Sequence, residues 1–133
     1  ACNISHGEKT IKRYLDFYKL EYQQQYTFED LKGKTNLLYF DFAVFKNSKL
    51  VCLIEYDGEQ HYRPMRYSQH KERNLEKFKQ TQINDNIKNE YCIKNKIPLI
   101  RISCFDVSYK SFNKMYQDIK NLLDLELTLY LYC

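Results

Sequence analysis

"LLYFDFAVFKNSKLVCLIEYDGEQHY", residues 37–62, holds two apolar runs separated by a short polar joint. The runs, 37–45 and 50–57, read as strands, and the joint "KNSK" is short enough to make them an antiparallel hairpin. In the second run, strict alternation puts Val51 and Leu53 on one face with Glu55 and Asp57. Leu50, Cys52, Ile54 and Tyr56 take the other. Both faces begin apolar, which predicts a central strand covered on both sides. Each run is also interrupted by acid: Asp41 in "LYFDFAVF", then Glu55 and Asp57 at the mouth of the second strand. An ionised carboxylate buried without a partner is strongly unfavourable, and acids on paired strands repel one another. A divalent cation held between Asp41 and Glu55, with the Tyr56 carbonyl as a further oxygen ligand, resolves both problems.

The elements on either side complete a fold. Ser5-His6-Gly7-Glu8 has the form of a capping box, and Ile11, Tyr14, Leu15 and Tyr18 follow at helical spacing, so a first helix is expected over about residues 6–19. "YQQQYTF", 22–28, is strand-like, and "EDLKGKTN" reads as a loop. "GEQHYRPMRY" reads as an irregular loop. A polar helical region follows over 69–96, with Thr81 as a candidate break and Ile83, Ile87 and Tyr91 as its apolar stripe. "IPLIRI", 97–102, is expected as a short buried strand, and Phe112, Met115, Tyr116, Ile119, Leu122 and Leu123 mark a final helix. The tail "ELTLYLYC" suits either a continued helix or an edge strand. The order gives an α/β fold, a central mixed β-sheet of about four strands flanked by helices.

At 133 residues the chain suffices for one domain with a real core. The expected organisation is a single domain over 1–133, with 124–133 as a C-terminal extension. No run reaches the ~18 apolar residues of a membrane span, and the start shows neither a signal-peptide pattern nor an initiator methionine, as in a processed chain or an excised domain. The five cysteines, Cys2, Cys52, Cys92, Cys104 and Cys133, form no C-x-x-C pair. They read as reduced thiols of an intracellular protein rather than as a zinc cluster. Net charge is +4, unevenly spread: residues 58–101 carry ten basic and five acidic side chains. Such an excess attracts a polyanion, although a solvated helix face has the same composition.

Taken singly, each polar residue has an ordinary explanation. Asp41 can pair with Arg101 or Lys88, Asp57-Gly58 is a good turn dipeptide, His61 can be a packed histidine, and Glu8 belongs to the capping box. Their combination points to a site. The spacing of Asp41, thirteen residues, then Glu55-Tyr56-Asp57 resembles the PD-(D/E)XK nuclease superfamily. "S-x-GE", "FDF", "IEYDGEQHY", "D-x-x-K-x-x-YC" and "IPLIRI" are similar to its branch of very-short-patch-repair endonucleases and related phage homing endonucleases. The likeness spans residues 5–102 and implies a restriction-endonuclease-like core. Two positions depart from the pattern: Phe40 stands where the superfamily has proline, and Asp57 where it has lysine. The resemblance also offers Cys2, within residues 1–5, as the remnant of an upstream zinc module; a plain terminal cysteine is the other reading.

The resemblance implies a metal-dependent endodeoxyribonuclease acting on double-stranded DNA with Mg²⁺ or Mn²⁺. Asp41, Glu55 and Tyr56 would hold the metal. Catalytic roles would fall to Glu8, Asp57, His61 and Lys88, with Arg101 balancing charge. Gln60, Arg63, Arg66, Lys71, Arg73 and Gln82 would meet DNA, and Asp85 would help position the site. No helix reads as a dedicated major-groove reader, so a separate recognition module is expected. The competing class is a nuclease-fold module that has lost catalysis and only binds nucleic acid; a hydrolase of small phosphorylated molecules is a third, unsupported by any glycine-rich phosphate loop.

Overall fold

The computed structural model describes residues 6–59, 62, 71–105 and 108–132, with backbone alone at 71 and 126–132. Its elements run α1 (His6–Phe17), β1 (Glu21–Lys32), β2 (Leu37–Lys46), β3 (Lys49–Asp57), α2 (Lys71–Lys94), β4 (Leu99–Ser103) and α3 (Tyr109–Tyr132). The strands form one sheet in the order β1-β2-β3-β4. The first three are antiparallel neighbours, and β4 joins β3 in parallel after the α2 crossover, so the sheet is mixed as expected. The β2–β3 hairpin closes at Asn47 and Ser48, whose φ angles of 51° and 65° give the left-handed pair that a two-residue turn requires.

The sheet is covered on both faces. Ile11 and Leu15 of α1 and Phe112, Met115 and Ile119 of α3 pack on one side with Phe42, Val44, Cys52 and Ile54. On the other side Leu31, Leu38, Phe40, Ala43 and Leu53 meet Cys92 of α2, with Ile87 and Tyr91 against them. Removing this much apolar surface from water is the main stabilisation of the fold.

Several boundaries differ from the sequence-based expectation, each for a local reason. Strand β1 runs through 29–32, because Leu31 is buried in the α2-side core and the turn itself is confined to 33–36, where the Gly33 amide donates to the Asn36 carbonyl at 2.8 Å. Helix α2 is unbroken at Thr81: one threonine costs a helix only a few tenths of a kcal/mol, and the Gln80 amide donates to the Asn84 side chain across it at 2.9 Å. Of the expected stripe, Ile87 and Tyr91 pack inward, whereas Ile83 is 51% exposed. The tail is helical to Tyr132. Finally, Val51 is an extra residue in β3, since Val44 pairs with Cys52 and Phe45 with Leu50. That bulge exchanges the faces of Leu50 and Val51, so Leu50 lies with Leu53 and Val51 with Cys52 and Ile54.

A second change of phase matters more. Phe40 lies in the α2-side core and Phe42 in the opposite one, two residues apart on the same strand. In β1, Tyr22 and Tyr26 divide in the same way around Gln25, which has a φ of 52°. The pairs Gln24–Phe42 and Tyr26–Phe40 bracket this kink, so both strands turn over at the level of Asp41.

A candidate metal and nuclease centre

The last registered pair between β2 and β3 at this end is Phe42 with Ile54. One step further, side chains take over from the backbone ladder. The Asp41 amide donates to Glu55 Oε1 at 2.9 Å, and the Tyr56 amide donates to Asp41 Oδ2 at 2.7 Å. Each acid thus satisfies an amide on the opposing strand, and the two carboxylates are held side by side at the point where the strands part. Glu55 is 2% exposed and Asp57 6%. Burial pushes the Glu55 carboxyl up, the neighbouring Asp41 charge adds to the rise, and Lys88 opposes it, leaving it at about 7.

Helix α2 brings one counter-charge and a further acid, and β4 brings a second counter-charge. Lys88 Nζ lies 3.1 Å from Glu55 Oε2 and 5.6 Å from the centroid of the Phe40 ring. Arg101, registered opposite Glu55 on β4, donates through Nη1 to Asp57 Oδ1 at 2.7 Å. The same Nη1 stands 3.9 Å from Asp85 Oδ1, and Nη2 donates to the Asp85 carbonyl at 3.4 Å. Nε and Nη2 both donate to Asn89 Oδ1, at 3.0 and 2.9 Å. One carboxylate oxygen from each of Glu55, Asp57 and Asp85 lies within 4.8 Å of the others.

The expected site residues therefore divide. Asp41, Glu55, Tyr56, Asp57 and Lys88 come together, and the lysine pairs with Glu55 and the arginine with Asp57. Asp85 joins them from α2, three residues before Lys88, while Gln82 and Arg73 are exposed on that helix. Glu8 lies on α1, close enough to the Tyr56 phenol to help raise its pKa, behind burial and Cys104. Gly7 explains that approach: a Cβ there would overlap the Tyr56 ring, so only glycine lets α1 lie this close. Gln60, His61, Arg63 and Arg66 lie outside the described residues, as do the Lys71 side chain, Ser5, Cys2 and Cys133. Asn89 went unnoticed in the sequence. An asparagine in a polar helix carries no signal of its own, and only its place one turn beyond Asp85 could have suggested it.

The donor set suits a hard divalent cation. Asp41 and Glu55 offer carboxylate oxygens at one place, and burial together with the Asp41 charge raises the Glu55 pKa in spite of Lys88, so a cation there would favour its ionised form. Among the described residues no helix is long and apolar enough to cross a membrane.

Residues 13–122 match a family model described as Protein of unknown function (DUF2726), and the chain belongs to that family. No curated protein and no solved structure matches it.

Proposed function

We propose that this chain is a metal-dependent endonuclease domain that hydrolyses phosphodiester bonds in double-stranded DNA inside the cell, with recognition supplied by a separate module. The observation that carries the reading is the Asp41–Glu55 pair at the parting of two strands, with Lys88 entering at 3.1 Å from Glu55. The superfamily pattern asks for a lysine two residues after the second acid. Here Asp57 stands in that position and is bound by Arg101, and α2 delivers Lys88 to Glu55 from another direction.

Mg²⁺ or Mn²⁺ held by Asp41, Glu55 and the Tyr56 carbonyl would polarise the phosphate and lower the pKa of a bound water. The chain's own residues account for the rest. Lys88 favours the ionised form of Glu55, keeping it a ligand near neutral pH. His61 takes the proton of the attacking water or delivers one to the leaving oxygen, a task suited to imidazole. Glu8 approaches from α1. Arg63, Arg66, Lys71 and Arg73 neutralise phosphates, so binding weakens with salt, and Gln60 and Gln82 contact the duplex.

A nicking assay on supercoiled plasmid with Mg²⁺, run on the parent and on Asp41→Asn, tests the reading. Loss of the ion-binding charge is expected to abolish cutting, while the amide oxygen still accepts the Tyr56 hydrogen bond and the melting temperature is kept. Equal cutting by the two proteins overturns the assignment. DNA binding by the parent without any cutting would make it a binding module.

A further inference from the structure

Three acids near one another would ordinarily suggest a second ion beside the first. The surroundings of Arg101 argue otherwise. Its guanidinium bonds Asp57 directly, faces the Asp85 carboxylate at 3.9 Å, and also takes the Asp85 backbone carbonyl. Both Nε and Nη2 are fastened to Asn89, so the planar group is fixed on two sides. It is also anchored at its base, because Arg101 sits in β4 in register with Glu55. Arginine stays protonated at any accessible pH, and its rigid fork matches carboxylate geometry. A mobile divalent ion at Asp57 and Asp85 would have to displace a cation that cannot leave the strand.

We infer that Arg101 is a built-in counter-cation that closes the Asp57–Asp85 half of the acidic cluster to metal, so that the site takes a single divalent ion at Asp41 and Glu55. The inference rests on the proposed metal site and adds its stoichiometry. It gives Asp57 and Asp85 the role of holding Arg101, and Arg101 that of a positioning residue. Asn89 completes the arrangement by fixing the guanidinium plane.

Counting bound Mn²⁺ by electron paramagnetic resonance, in the absence of DNA, tests the inference. The parent is expected to bind one ion. Arg101→Met, which keeps the aliphatic stem and removes the charge, is expected to bind two, and adding Asp85→Asn to it is expected to return the count to one. Asp85→Asn alone, in a protein that keeps Arg101, is expected to bind one ion as tightly as the parent, which keeps the test open should Arg101→Met fail to fold. Two ions in the parent, one ion in a folded Arg101→Met, or a tenfold weaker first ion in Asp85→Asn would each overturn the inference and leave the metal-nuclease reading standing. No ion in the parent would overturn both.

Discussion

The two halves of the β2–β3 hairpin are built on different principles. From the turn to the Phe42–Ile54 pair, backbone ladders hold the strands, and apolar side chains fill both faces. From Asp41 and Glu55 onward, carboxylates hold the backbone and cations hold the carboxylates. The first half, residues 42–54, carries no carboxylate. The second is set by a balance of burial against charge. One strand pair thus carries stability at one end and a poised electrostatic site at the other, with a single residue step between them.

The sharpest way to break the first half is Phe42→Ala. Phe42 is fully buried between α1, α3 and the sheet. Its truncation is expected to cost about 3–5 kcal/mol in denaturant unfolding, while the cutting rate per folded molecule stays at the parental level. A variant that folds as well as the parent but cuts poorly would erase the distinction between the halves.

Lys88→Met probes the second half with a smaller effect. With the lysine gone, the positive charge that opposes burial at Glu55 is lost, and the Glu55 pKa rises further. The variant is expected to be about 1–3 kcal/mol less stable at pH 8, the cost of a buried charge left without its partner. The deficit should shrink at pH 5.5, where Glu55 takes up a proton instead. Melting curves at the two pH values check this, and an equal deficit at both would mean that Lys88 acts by packing.

The mildest change is Glu55→Gln. The folded-state pKa of Glu55 lies near 7 against an ordinary value of 4.5, so the folded protein binds the extra proton between those limits. Its contribution is fully present below about 4.5 and is lost as pH rises through about 7. The metal-free parent is therefore expected to lose stability across that window, and Glu55→Gln to flatten the loss. Mn²⁺ binding by the parent should strengthen over the same pH range. A parallel pH profile in parent and variant would remove Glu55 as the titrating group.

The hairpin and the sandwiching helices were legible because their cause is periodic: apolar alternation and a polar joint of fixed length. Asp41 and Glu55 were legible for the opposite reason, as polar residues standing where the pattern demands apolar ones. Lys88 and Arg101 were recognisable as counter-charges, yet which acid each would meet was not, because that depends on how far α2 and β4 reach over the strand end. The face inversion at Asp41 left no trace in the sequence. It rests on the left-handed Gln25 across from it, and glutamine does not advertise that conformation. The continuation of β1 through 29–32 was hidden by polar residues surrounding the single buried Leu31.

The reciprocal amide bonds at Asp41 and Glu55 have a bearing on descent. If the chain is the nuclease proposed above, this site would not erode evenly in a lineage released from selection for cutting. Lys88 would be free to drift once position 55 had become an amide and no longer needed a counter-charge. Positions 41 and 55 would be confined to acids or their amides, because an alanine at either would strand a backbone N–H at the strand junction. The pair would outlive the activity as a fossil of it. An asparagine in place of Asp41, with the hairpin intact, would be the mark of a copy that had kept the architecture and abandoned the chemistry.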